Sequence, residues 1–186
     1  MTDITSLILD DHDWFRRQFA RLDDLTDPAG LAKVWQPLAD LLDVHAAAEE
    51  EIFYPELIQR GDDAEEETLD AVGDHNDIRD AVRDAATHPP GSTAWLEAVR
   101  RARVANSEHM AEEEDDGLAD FRRHADPGLR EELGRRFVEF KAAHEGTKGL
   151  DTSDVDPERY VRELEEEQGS GPADHSLGIG SLKGQD

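Results

Sequence analysis

Residues 45–55 read HAAAEEEIFYP, and this stretch indicates both a helix and a binding site. Ala and Glu favour helix formation, and His45 and Glu49 are four residues apart within the segment. Side chains at positions i and i+4 lie on one helix face, about one turn apart, so both can reach a single ion. The segment therefore predicts a helix that presents an imidazole and a carboxylate together.

The same pattern occurs again 64 residues later, where residues 109–114 read HMAEEE. A second repeat has an offset of 63, because residues 11–16 (DHDWFR) resemble residues 74–79 (DHNDIR). The chain thus resembles a duplicated helical hairpin, which would pack with pseudo-two-fold symmetry. Helical bundles build metal sites from inward side chains on facing helices, and this symmetry suits two ions with equivalent ligands.

The spacing of the four repeated histidines places them in one layer. His12, His45, His75 and His109 are separated by 33, 30 and 34 residues. Each gap has a turn signal near its midpoint: PAG at 28–30, GDD at 61–63 and PPGS at 89–92. When a chain turns midway between two residues, both residues lie at the same height along the bundle axis. We therefore expect the histidines at one level of an up-down four-helix bundle.

The fold class predicted from the sequence is all-α. Apolar residues recur at intervals of three and four, and no segment shows sustained strand alternation. The first three predicted helices end near 27–28, near 61 and before 89–90. The fourth predicted helix runs from Ser92 possibly to Phe121, and a fifth starts at Asp126-Pro127. Leu133, Phe137 and Phe140 share one face of that additional C-terminal helix.

The predicted domain organisation divides the chain near residue 146. Residues 1–146 form the bundle plus the fifth helix, and residues 147–186 form a polar linker, a short charged helix near 157–168 and a Gly/Ser-rich tail. Tails of this composition are normally mobile. An apolar island at 176–182 (SLGIGSL) offers the alternative that the tail docks.

The composition excludes several classes of function. The 186 residues include 46 acidic and 20 basic side chains, a net charge of −26, which disfavours nucleic acid and an anionic membrane as partners. The acidity indicates solubility or life at high salt, and its use in attracting cations has no local support. Without cysteine, thiolate metal sites are impossible. No signal peptide or membrane helix is apparent, so we expect a cytoplasmic protein.

Four imidazoles and two carboxylates form a chemically sensible ligand set. If Glu49 and Glu113 bridge, each of two ions has four ligands. Imidazole suits iron, copper, nickel and zinc, while carboxylate suits iron and manganese. An octahedral metal would keep positions open for water, dioxygen or peroxide. Four acids beside these ligands are expected to be solvated, with Glu50 and Glu112 as alternatives for supporting roles: Glu50, Glu51, Glu112 and Glu114.

The order His, HxxxE, His, HxxxE resembles that of the hemerythrin-like HHE cation-binding domains. Residues 45–55 are close to that family's second-helix motif, a His and two glutamates followed by an aromatic-Pro step, and the resemblance covers residues from about 3 to 145. It implies a four-helix bundle with a non-haem diiron centre, although manganese or zinc is chemically possible. The implied metal ligands are His12, His45, Glu49, His75, His109 and Glu113, with the glutamates bridging.

Two departures from the oxygen-carrying hemerythrins affect the expected function. Arg79 stands where those proteins have a further His, and they have Asp one residue beyond the position of Glu113. The resemblance therefore disfavours simple oxygen carriage. Arg16 has the same offset from His12 as Arg79 has from His75. Both arginines are expected either to be partly exposed and paired with acids, or to lie over the site and favour an anion such as peroxide.

The resemblance leads to three functional hypotheses. The first is a protein that binds dioxygen, peroxide or nitric oxide for sensing, storage or oxidative and nitrosative protection. The alternatives are a peroxide-consuming enzyme and an iron storage or delivery protein. Trp14, Phe15, Phe53 and Met110 are expected to pack around the site, and Tyr54 to donate a hydrogen bond to a bound oxygen species. The remaining histidines are expected at the surface: His88, His124, His144 and His175.

Overall fold

A computed structural model describes residues 3–62 and 64–169 of the chain, and every regular element in that part is helical. The α-helices are α1 (Ile4–Asp23), α2 (Pro28–Ala48), α3 (Tyr54–Arg60), α4 (Ala64–Ala86), α5 (Thr93–Asp115), α6 (Gly117–His124), α7 (Pro127–Ala143) and α8 (Pro157–Gly169). A π-helical turn spans Glu49–Phe53, and a 3₁₀ turn spans Glu145–Thr147. The predicted all-α class is confirmed.

The second predicted helix is interrupted where the sequence analysis treated it as continuous. Between α2 and α3 the chain widens into the π-helical turn, and the Tyr54 N–H bonds to the Glu49 carbonyl five residues back. Pro55 supplies the reason, because proline lacks an N–H and its ring clashes with the carbonyl four residues earlier. A wider turn reduces the angle between successive side chains, so Glu49 and its neighbour Glu50 both face inward.

The fourth predicted helix also breaks, at Asp116, between α5 and α6. Helix α6 then starts at Gly117, where a Cβ atom would lie only 2.1 Å from the Glu67 carboxylate of α4. A larger residue at this position would displace the end of the Glu67 side chain.

Two apolar clusters lie on either side of the predicted histidine layer. One cluster includes Phe15, Trp35 and Trp95, and the other includes Ile8 and Phe53. Along α1 and α4 the residues of the second cluster come first, whereas along α2 they come last. Helix α5 carries residues of the first cluster only, and the second cluster follows it in α6. This is the pattern that the expected up-down arrangement predicts. The layer between the clusters is thus held in a buried, mostly apolar environment.

The chain after the four long helices packs back onto them. Helix α7 contacts α1 and α2 and buries Leu133 and Phe137, as its sequence pattern predicts. Helix α8 contacts α4 and α3. Before it, Asn76 of α4 exchanges two hydrogen bonds with the backbone of Val155, at 2.7 and 2.9 Å. The domain division near residue 146 stays a prediction, and the apolar island at 176–182 lies outside the described residues.

Candidate metal centre

The structure brings the six predicted ligands together in one buried layer. The contributing elements are α1, α2, the π-helical turn, α4 and α5. None of the six residues is more than 3% exposed: His12, His45, Glu49, His75, His109 and Glu113. Charged and polar groups are costly to bury unless they are paired or coordinate a cation, so their concentration here requires a physical explanation.

Glu49 lies between two pairs of histidines. Its Oε1 lies 2.9 Å from His45 Nε2, and its Oε2 lies 3.3 Å from His75 Nε2 and 3.9 Å from His109 Nε2. Two sets of possible ligand atoms therefore share this carboxylate, one with His12 and His45 and the other with His75 and His109. Within each set all atoms lie within 4.8 Å of one another.

Glu113 completes the layer from the opposite helix. Its Oε2 lies 3.4 Å from His12 Nε2, while its Oε1 accepts a 3.2 Å hydrogen bond from the Tyr54 hydroxyl. The predicted donor Tyr54 is thus directed into the site and engages a predicted ligand. In this arrangement Glu113 lies beside only the first of the two ligand sets.

The inner polar atoms of the layer fit a cation. Five buried atoms that can donate a lone pair have no hydrogen-bond partner in the described residues: His12 Nε2, His45 Nε2, Glu49 Oε1, Glu49 Oε2 and Glu113 Oε2. Buried polar groups in folded proteins are almost always satisfied. Imidazole nitrogens and carboxylate oxygens that converge without a donor among them are the donor set of a metal ion.

The outer nitrogen of each histidine faces a carboxylate from another helix. The Nδ1 atom of His12 lies 2.8 Å from Glu114, and that of His75 lies 2.9 Å from Glu50. The remaining two pairs are His45 with Asp11 at 3.1 Å and His109 with Asp74 at 3.8 Å. Such carboxylates fix the orientation of a ligating imidazole and leave Nε2 free for the metal.

These four acids follow the internal repeat. Asp11 and Asp74 each precede a histidine, and Glu50 and Glu114 each follow a predicted bridging glutamate. The sequence analysis missed both aspartates as site residues, although the repeated Asp-His pair was the available signal. It expected Glu114 to be solvated and weighed Glu112 for support, whereas Glu114 contacts His12 and Glu112 is exposed.

The arginines of the repeat pair with these acids. Arg16 donates to Glu114 at 2.7 Å, and Arg79 donates to Glu50 at 2.9 Å. The expectation that both arginines pair with neighbouring acids is therefore correct. The expected partial exposure is wrong for Arg79, whose side chain is 2% exposed against 44% for Arg16. Glu50 lies in the π-helical turn and is itself nearly buried, which explains the difference.

The two halves of the internal repeat differ in the residues that surround the histidines. Asp11 is buried and pairs with Lys141 of α7; burial alone would raise its pKa, but His45 and Lys141 hold it below the ordinary value. Asp74 occupies the equivalent position in the repeat, but burial and Glu112 raise its pKa to about 6. The end of the layer at His45 is therefore closed by α7, whereas the end at His109 faces other acidic side chains.

The pKa values of the histidines show how strongly their charge depends on the neighbouring carboxylates. Burial alone would lower the pKa of His12, but Glu113 and Glu114 raise it to about 9. Burial likewise opposes the charge on His45, yet Glu49 and Asp11 raise its pKa to about 9. Burial and the charge of His75 hold the pKa of His109 well below its ordinary value. Protons and a metal cation thus compete for the same nitrogens.

A cavity of about 750 Å³ reaches the layer from one side. Its inner end is lined by Tyr54, His109 and Glu113. Ten of its fourteen lining residues are Asp or Glu, and Arg123 is its only basic residue within the described ranges. The site is therefore accessible from solvent through a strongly acidic passage.

The other described histidines make local contacts. His88 lies 3.3 Å from Asp84, His144 lies 3.0 Å from the Lys148 carbonyl, and His124 belongs to a group with Asp62 and Asp120. In that group Asp120 already accepts hydrogen bonds from the Asp62 N–H and from Arg123, so it stabilises the loop after α3. His175 lies outside the described residues.

The fold and the buried His/Glu layer define a helical cation-binding domain. The family model of the hemerythrin HHE cation-binding domain matches residues 3–120, and the chain belongs to this family. Comparisons with curated proteins and with solved structures gave no match. The family binds metal cations, which agrees with the unpartnered ligand atoms. In residues 3–62 and 64–169, no helix is both long and apolar enough to cross a membrane.

Proposed function

We propose that the layer holds two iron ions and binds dioxygen, peroxide or nitric oxide for sensing, storage or oxidative and nitrosative protection. His12 and His45 would hold one ion and His75 and His109 the other, with Glu49 and Glu113 as the carboxylates proposed to bridge them. The observation that carries this proposal is the position of Glu49, whose two oxygens face different histidine pairs. Carboxylates and imidazoles are a suitable donor set for non-haem iron, which supplies redox chemistry and open positions for small ligands.

The side chains of the protein have definable tasks in this function. Asp11, Glu50, Asp74 and Glu114 orient the four imidazoles. The apolar clusters on both sides exclude bulk water from the layer. Tyr54 holds a proton at its hydroxyl, next to Glu113, because burial and then the charge of Glu113 raise its pKa well above the ordinary value.

Metal analysis tests the proposal with a matched pair of variants. We expect the full-length protein to bind about two irons per chain, as bundle sites of this type do. Glu49→Gln keeps the shape of the shared carboxylate but removes its charge, so both ions should be lost. Glu51→Gln makes the same chemical change at an exposed neighbour and should leave metal content unchanged. Full occupancy in Glu49→Gln would contradict the proposal.

A second candidate function is peroxide consumption, and the open cavity favours it. Its inner end combines Tyr54, His109 and Glu113, so a neutral peroxide molecule can reach a proton donor beside the proposed ions. Steady turnover of added peroxide by the iron-loaded protein, faster than by the same amount of free iron, supports the enzyme. A stable nitric oxide adduct without peroxide turnover supports the binding protein.

A further inference from the structure

We infer that the acidic cavity between α3, α4, α5 and α6 is the route by which the metal cation enters the centre, and that it draws the cation in electrostatically. This inference rests on the proposed function, since it names how that same site is filled. It concerns the rate of metal uptake and not the affinity of the filled site.

The local charge of the cavity is the first observation. Glu66, Asp70 and Asp116 are exposed acids along its wall, and none of the described hydrogen bonds or ion pairs occupies their side chains. Arg123 does not offset this charge, because it pairs with Asp120 at 2.8 Å. Clefts lined by one sign of charge concentrate counter-ions and raise association rates by about 10- to 1,000-fold.

The inner end of the cavity supplies a second, independent observation that points to a cation. Glu113 lines the cavity and is 3% exposed, and its Oε2 has no hydrogen-bond partner in the described part of the chain. His109, the cavity's only histidine within the described ranges, also lines it and belongs to the second ligand set. A cation that follows the acidic wall therefore arrives at two of the proposed ligands.

At the opposite end of the layer, residues of α1 and α7 cover His45. His45 is covered by the rings of Phe15 and Phe137, whose centroids lie 5.1 and 5.9 Å from the imidazole. Lys141 lies 5.1 Å from the Phe137 centroid and pairs with Asp11. An ammonium group and two aromatic rings thus obstruct a cation on this side. The broken symmetry of the repeat makes metal entry one-sided.

The test compares two triple variants of the full-length protein that have the same net charge. The cavity variant is Glu66→Gln/Asp70→Asn/Asp116→Asn. The surface variant is Asp10→Asn/Glu132→Gln/Glu139→Gln, which removes three exposed charges from α1 and α7. Metal-free protein is mixed rapidly with ferrous iron under anaerobic conditions, and unbound iron is trapped by a chelator at successive times.

We expect the cavity variant to take up iron about tenfold more slowly than the wild type and the surface variant to match the wild type. Added salt should slow the wild type more than the cavity variant, because it screens the same charges. Both variants should reach the same final iron content. Equal rates in all three proteins, or equal slowing in both variants, would overturn the entry route.

A separate outcome identifies failure of the proposed function itself. If the wild type binds no iron at equilibrium, both the centre and the route are wrong. If the wild type fills normally and loses its iron in Glu49→Gln, but the cavity charges leave the rate unchanged, only the route is wrong. Asp70→Asn alone should produce a smaller slowing, which provides a graded result if the triple cavity variant folds poorly.

Discussion

Glu50 Oε1 lies 2.9 Å from the Nδ1 atom of His75, so a carboxylate next to the proposed bridging glutamate orients a histidine on another helix. Glu50→Ala should weaken metal binding by about 10- to 100-fold, because the imidazole loses the partner that fixes its orientation. A chelator competition measures the change. Glu51→Ala, at the exposed neighbour, is the control and should leave affinity unaltered. Equal affinities for the two variants would exclude an orienting role for Glu50.

Arg79 and Arg16 are equivalent in the repeat but should differ in stability. Arg79→Met leaves the nearly buried Glu50 without its guanidinium partner and should lower the free energy of unfolding by about 3 kcal/mol. Arg16→Met breaks an ion pair with a half-exposed arginine and should cost less than about 1 kcal/mol. Urea unfolding of both variants provides the comparison. Similar losses would mean that the burial of Arg79 has no energetic consequence.

Tyr54→Phe should remove the hydrogen bond to Glu113 with little change in packing. We expect a loss of about 1 kcal/mol in the free energy of unfolding and a shift in the near-ultraviolet absorption of the iron-loaded protein. Tyr160→Phe removes a different, partly buried hydroxyl, which donates to the Glu50 carbonyl, and should leave that absorption unchanged. A Tyr54→Phe spectrum identical to that of the wild type would show that the hydroxyl does not influence the centre.

The cavity should also have a measurable effect on stability through Glu67. Burial and the charge of Glu113 raise the pKa of Glu67 from 4.5 to about 7. Between these values the unfolded chain releases the proton and the folded chain keeps it, so the free energy of unfolding falls as pH rises. Glu67→Gln should therefore melt about 2 °C higher than the wild type at pH 8 and show no such gain at pH 4.

The control for this pH effect is Glu66→Gln, at the exposed adjacent position. It should show a smaller change in melting temperature than Glu67→Gln at pH 8. Thermal unfolding of both variants across the pH range separates the titration of Glu67 from a general loss of negative charge. A gain for Glu67→Gln that is constant from pH 4 to 8 would refute the linkage.

The side chain of Asn76 should hold the segment before α8 against the helical bundle. Asn76→Ala removes both hydrogen bonds to Val155, so amide hydrogen exchange in residues 150–157 should accelerate about tenfold or more. Asp77→Ala, at the exposed next position, should have no such effect. Iron content should be the same in both variants, because this contact lies outside the ligand layer. Unchanged exchange in Asn76→Ala would show that other contacts hold the segment.

The local features of the centre could be read from the sequence because they depend on spacing along one helix. His45 and Glu49, like His109 and Glu113, share a face through the i and i+4 relation, and the turn positions align all four histidines at one depth. The helix start at Pro127 also follows from a local rule, since Asp126 caps it. Such features need no knowledge of which helices become neighbours. The prediction of a turn at 28–30 was wrong, because Asp27 caps α2 and those residues form its first turn.

The contacts between helices required the tertiary structure. Glu50 and Glu114 both follow a glutamate that is proposed to bridge the ions. Only Glu50 lies in the widened turn at Pro55, and its partner Arg79 is buried as well. Asp11 and Asp74 both precede a histidine, yet Lys141 closes one end and acids line the other.

By itself the sequence determined the helical fold class and the repeated layer of histidines and glutamates, because these follow from periodicity and spacing. Only the tertiary structure decided which acid meets which histidine and which side of the centre is open, because those contacts join residues 25 to 130 positions apart along the chain.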